Sequence, residues 1–233
     1  MELWLQWLRG PVFWAALTFM IVGLFRHVVI TVWDLRRAFR RAGDKVIPYR
    51  QVFVATIRWM FPLGELRTRL LFTLTSAVFH VAIILVPIFL AGHIALWERG
   101  IGVSWPAIPN ALATTLTIAA VVTALALVVR RIASRDTRAL SRFQDYVLPL
   151  TVAAPFASGF FVMHPLLNPF PHETMLLVHV ASADLLLFLI PVTKLNHMAL
   201  LPGMQLASEL AWHFPPDAGS KVGAALGKAS EPI

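Results

Sequence analysis

HVAIILVPIFLAGH, residues 80 to 93, and HVASADLLLFLIPVTKLNH, residues 179 to 197, each begin and end on a histidine inside an apolar run. Both lie in segments long enough to cross a bilayer, where an ionisable side chain is expensive and marks function. The reading of these two stretches as membrane-buried sets the fold class, and the rest of the chain agrees with it. Of 233 residues, 58% are hydrophobic and 14% charged, with a mean hydropathy of +0.72. A soluble domain carries about 25% charged residues. An integral membrane protein is therefore expected, in contact with the lipid bilayer.

There is no cysteine, so this chain cannot supply a disulfide, a thiolate-bound iron–sulfur cluster or a cysteine–zinc site. The net charge of +8 would suit nucleic acid, but the basic residues crowd at the ends of apolar segments. That is a topology signal, and nucleic-acid binding is not expected.

A hydrocarbon core about 30 Å thick needs roughly 20 apolar residues in a helix. Five segments qualify, at about 11–33, 70–97, 107–130, 146–166 and 173–200. The expected fold is an all-α, five-helix transmembrane bundle over residues 1–202, with a connector at 34–69 and a weakly ordered tail at 203–233. The first helix is expected to be retained, because its apolar run is long and no small-x-small site follows it. Arg36, Arg37, Arg40, Arg41, Lys45, Arg50, Arg58, Arg67 and Arg69 lie between spans one and two. Arg131, Arg135, Arg138 and Arg142 lie between spans three and four. By the positive-inside rule these loops are cytoplasmic, which places the N-terminus outside and the C-terminus and tail in the cytoplasm. The connector offers an amphipathic helix (Val52, Phe53, Ile57, Trp59 and Met60 against Arg50 and Arg58). Alanines in span three, and Ala153, Ala154, Ala157, Ser158 and Gly159 in span four, favour close packing.

Spans two and five are antiparallel. His80 and His197 therefore share the cytoplasmic depth, and His93 and His179 the outer one. Iron in a haem takes axial imidazoles, so two bis-histidine b haems, His80/His197 and His93/His179, are the expected cofactors. In a continuous helix His179 and His197, 18 residues apart, share a face about 27 Å apart along the axis. His80 and His93, 13 apart, lie roughly 140° from a common face. Pro87, midway between them, is the residue able to re-phase that helix.

The stretch HVASADLLLFLIPVTKLNHMALLPG (His179 to Gly203) resembles the last membrane helix of the gamma subunit of respiratory nitrate reductase. That family has two haem ligands at this separation and a basic residue shortly before the second, where Lys194 stands. FHVAIILVPIFLAGH (Phe79 to His93) resembles the family's second helix, and GLFRHVVITVWDLRRAFR its first, with Arg26 at a matching basic position. Span two separates its histidines more widely than the nitrate reductase subunit does. In this it is closer to subunits of hydrogenase- or heterodisulfide-reductase-linked complexes. The resemblance implies a cytochrome b subunit of the inner (cytoplasmic) membrane. Such a subunit exchanges electrons with quinone near one haem and with a cytoplasmic iron–sulfur redox subunit near the other.

Asp184, inside span five, costs about 2.5–3.5 kcal/mol on insertion scales and should face the bundle. It is a candidate catalytic proton carrier for quinol chemistry, or a carboxylate that orients a ligand imidazole. Arg26 and Lys194 are candidates to neutralise haem propionates, although snorkelling explains both without a cofactor. Trp97, Glu98, Arg99, His164, His172 and Glu173 are candidates for the rim of a quinone pocket. The rival reading is a haem-free transporter or proton-conducting subunit using Asp184 and the histidines as relays.

Overall fold

In the computed structural model, which describes residues 1–42, 49–60, 66–211 and 218–228, every regular element is helical. Helices Glu2–Arg37, Leu70–Phe89, Asn110–Ala133, Phe143–Met163 and His172–Leu189 are long and apolar enough to cross a membrane. The protein is an all-helical, multi-pass membrane protein.

The chain runs as α1 (Glu2–Trp7), a π turn (Leu8–Val12), α2 (Phe13–Ala42) and α3 (Tyr49–Met60). It continues as α4 (Leu70–Phe89), α5 (Ala91–Ile101), α6 (Asn110–Ala133) and α7 (Arg135–Leu140). The last elements are α8 (Phe143–Met163), α9 (His172–Leu189), α10 (His197–Ala211) and α11 (Ala218–Ala225). Pro11 sits in the π turn, where its missing N–H loosens the regular ladder.

Two compact units are formed: residues 1–23 with 64–195, and residues 24–63 with 196–233. In the first, α4 packs on α6, α6 on α8, and α8 on α9. Their common core is Phe79, Ala82, Val86, Ala120, Ala124, Val152, Ala153 and Phe156. Ala82, Ala120 and Ala124 are fully buried. These small side chains let helix backbones approach, which is what drives association where lipid tails are as apolar as leucine. Buried hydroxyls bond back within their own helices, Thr117 to the Ala113 carbonyl (2.7 Å) and Ser158 to that of Ala154 (2.8 Å). Large apolar residues such as Leu71, Val122, Val129 and Leu185 point outward, as a lipid-solvated surface requires. In the second unit, α3 packs on α10 and buries Val52 and Thr56 while exposing Phe53. Gly203 brings α10 close to α2: a Cβ there would stand 2.6 Å from the Thr31 methyl.

Three expectations are corrected. Span two is not one helix over 70–97: α4 ends at Phe89, Leu90 is extended (φ −72, ψ 129), and α5 begins at Ala91. Span five is not one helix over 173–200. Pro191 offers no N–H to the Leu187 carbonyl, and α9 stops at Leu189. The Leu189 carbonyl accepts from the Thr193 N–H (3.0 Å) and hydroxyl (2.7 Å), and a 3-10 turn at Lys194–Asn196 leads into α10. His179 and His197 therefore do not share one helix face, and the five-turn spacing does not apply. Finally, the weakly ordered tail holds the rest of α10 and α11; its residues 212–217 and 229–233, like 43–48 and 61–65 of the connector, lie outside the described residues.

Candidate functional site

His93 owes its position to the interruption at Leu90. A helix that ends in an apolar setting leaves its last carbonyls without partners, and each must find one. All four do. The Val86 carbonyl takes the Leu90 N–H (3.0 Å), and that of Pro87 takes His93 Nδ1–H (3.1 Å). The Ile88 carbonyl takes the Trp105 indole N–H (2.8 Å), and that of Phe89 takes the Ile108 N–H (3.0 Å). His93 lies three residues into α5 and reaches back to α4. The interruption that sets the aim of this ring lies at Leu90, three residues beyond the Pro87 at which re-phasing was expected.

His179 is placed differently. It leans from α9 onto α8, where its Nδ1–H donates to the Pro155 carbonyl at 2.8 Å and Ser158 Oγ lies 3.5 Å away. The ring fits because residue 159 is glycine. A Cβ there would stand 2.9 Å from His179 Cε1 and 3.1 Å from Nδ1, inside van der Waals contact.

The structure brings these two histidines together. Their ring centroids are 6.1 Å apart and their planes are 4° from parallel. A carbonyl only accepts, so Nδ1 carries the proton on each ring and Nε2 keeps its lone pair. That is the arrangement by which an outer carbonyl fixes the tautomer and orientation of a metal-binding histidine. Among the described residues no three His, Asp or Glu side chains converge. Two imidazoles suit a haem, whose porphyrin brings its own equatorial nitrogens. Two half-buried imidazoles with their Nδ1 protons engaged on carbonyls fit the donor chemistry that such a group would need.

The other expected site residues fall as follows. His80, on α4, donates Nδ1–H to the Ser76 carbonyl at 2.7 Å. His197 opens α10 and Arg26 is exposed on α2, both in the second unit, whereas His80 belongs to the first. The Lys194 ammonium lies 2.7 Å from both Asp145 carboxylate oxygens, and Arg131 stands 3.4 Å from one of them. Asp145 also accepts the Arg142 N–H at 2.8 Å, capping α8. Its part went unread in the sequence, although an acidic residue in the first turn of a helix was the signal for it. Asp184 is 3% exposed. Among the described residues neither of its oxygens has a hydrogen-bond partner.

A cleft of about 340 Å³ opens between α1, the π turn and the start of α9, lined by Glu2, Leu5, Gln6, Arg9, Glu173 and Leu176. Glu173 and Leu176 lie one to two turns before His179, and Arg9 is within electrostatic reach of that ring. Of the expected rim, Glu173 lines this cleft. Trp97 instead packs near Trp105 (centroids 6.4 Å apart), Arg99 bonds the Ala95 carbonyl and His164 bonds that of Phe160. The contribution of the first helix was missed; its signal is the i, i+4, i+7 spacing of Glu2, Gln6 and Arg9.

The fold and the half-buried, near-parallel histidine pair define a multi-pass membrane protein with two imidazoles held side by side. A protein of Nitratidesulfovibrio vulgaris (strain Hildenborough), described only as "Protein", is 33% identical over 198 residues, which cover 83% of this chain and 86% of that one. The chain belongs to the family of that protein. No family model matches the sequence, and no solved structure matches it.

Proposed function

We propose that this chain is a dihaem b-type membrane cytochrome, the cytochrome b subunit of a respiratory redox complex. It moves electrons between membrane quinone and a cytoplasmic iron–sulfur subunit. The observation that carries this reading is the parallel His93–His179 pair, each ring holding its Nδ1 proton on a backbone carbonyl and keeping Nε2 for a metal. The second haem falls to His80 and His197 on the sequence reading. The distribution of arginines supports an outside N-terminus and a cytoplasmic C-terminus, and the resemblance to quinone-linked cytochrome b subunits supports residence in the inner membrane.

Bound haem would supply one-electron chemistry; the residues of this chain bind and orient it. The Pro87 and Pro155 carbonyls hold the two imidazoles against rotation. The cleft lined by Glu2, Arg9 and Glu173 has the size and polarity for a quinone head group beside that pair, with carboxylates to receive its protons. Arg26 and Lys194 would face propionates, Lys194 by sharing its ammonium with Asp145.

The dithionite-reduced visible spectrum of purified protein tests the reading. Reduced b-type bands and a pyridine haemochrome are expected; their absence defeats it. One observation favours a second reading, a haem-free proton-conducting subunit: Asp184 is buried, and neither of its oxygens has a partner among the described residues. The two readings share a prediction about that residue, which is that it handles protons. In the cytochrome, Asp184→Asn keeps the carboxyl's shape but cannot exchange a proton, so haem content stays at the wild-type level while quinol-dependent haem reduction slows about 10²–10⁴-fold, the range for a lost acid–base group. Stopped-flow reduction by a quinol analogue measures this. Wild-type rates would leave Asp184 a packing residue.

A further inference from the structure

Trp105 lies on the loop between α5 and α6, beyond the end of the helix that carries His93, yet it completes the helix end that holds that ring. Gly102, in the left-handed region (φ 73), ends α5 by donating its N–H to the Glu98 carbonyl at 3.0 Å. The chain then doubles back along α5 until Trp105 and Ile108 cap the Ile88 and Phe89 carbonyls. These are the two carbonyls that follow Pro87, whose own carbonyl holds His93. Four consecutive acceptors thus meet four separate donors, one of which is the ligand imidazole. The indole is half-buried and seated beside Trp97.

We propose that Trp105 is a positioning residue for the His93–His179 haem, with its indole N–H pinning the end of α4 so that the Pro87 carbonyl stays on His93 Nδ1. This rests on the proposed function, since it concerns what the imidazole does for a bound metal. If the indole donor is lost, the Ile88 carbonyl is left unpaired in an apolar region, where such a group is costly, and it competes for the donors nearby. The Pro87–His93 bond then lengthens. A weaker bond at Nδ1 makes the imidazole a poorer electron donor to iron, and the ring turns away from its near-parallel setting against His179.

Two substitutions separate the donor from the bulk. Trp105→Phe keeps a six-membered ring beside Trp97 and has no N–H. Trp105→His keeps a five-membered ring whose Nε2–H sits two bonds from Cγ, as the indole N–H does, and loses the benzo ring. The readouts are the redox potential of each haem by optical titration, and the ferric low-spin EPR signals, which report the angle between axial imidazole planes. In W105F the potential of one haem should rise and its EPR signal shift, while the other haem keeps both. The affected haem should be the one that His93→Ala removes. W105H should match wild type.

An unchanged potential and EPR signal in W105F would overturn the proposal, as would a shift in W105H with none in W105F. If W105F does not accumulate in membranes, W105H decides: a wild-type signature supports the role and a shifted one refutes it. Wild-type protein without haem would instead defeat the underlying function, so the two failures are distinguishable.

Discussion

On the proposed function, His179→Ala is expected to abolish one of two haem centres, and His93→Ala the same one. The expectation follows from the pairing itself. The rings stand 6.1 Å apart and near-parallel, and their carbonyl partners come from different helices, Pro87 of α4 and Pro155 of α8. Neither ring can be replaced by its neighbour. Loss of an outer hydrogen-bond partner of a metal ligand already costs about 10–100-fold in metal affinity, and loss of the ligand itself should exceed that. Pyridine haemochrome on each purified variant should show about half of the wild-type haem, and EPR should show the same low-spin signal missing from both. If the two variants lost different centres, the pairing would be wrong even though the protein bound haem.

On the same reading, Gly159→Ala is expected to weaken retention of that same centre without touching a ligand. The added Cβ would lie 2.9 Å from His179 Cε1 and 3.1 Å from Nδ1, and the Pro155 carbonyl gives the ring a fixed anchor on α8. The ring must swing off that carbonyl or α8 and α9 must part. Overpacking of this kind costs about 1–3 kcal/mol, roughly 5- to 150-fold in retention of the cofactor that the ring holds. Haem loss during purification, followed as the ratio of haemochrome to protein, is the measurement. Gly159→Ala with two haems at wild-type retention would mean that the contact relaxes freely. Gly92 is the natural control, because a Cβ there meets nothing within 4 Å.

The five membrane-spanning helices and the meeting of His93 with His179 were legible because both rest on summed transfer energies and on helix polarity. Those are properties of composition and order along the chain. The interruptions after Phe89 and Leu189 were not, although Pro87 and Pro191 were in plain view. Membrane helices often accommodate proline, and a hydropathy window does not register an extended dihedral at Leu90. Helix content beyond residue 203 was hidden because Gly, Ser and Pro are poor helix formers and masked the alanines among them, while packing between α3 and α10 lies between segments distant in sequence. The contacts of Gly159 and Trp105, and the Lys194 partner of Asp145, were illegible for the same reason. Each depends on a partner in another element, and for Gly159 the sequence offered only a small residue among small residues.

Neither histidine-bearing segment is a continuous rod, since one is interrupted at Leu90 and the other beyond Leu189. A straight helix acts as a piston, carrying a displacement at one membrane face to the opposite face. These two cannot. A molecule seated beside Glu173 has no rigid shaft through which to push on His197. Within either segment, a displacement at one end meets a break in the helical ladder before it reaches the other.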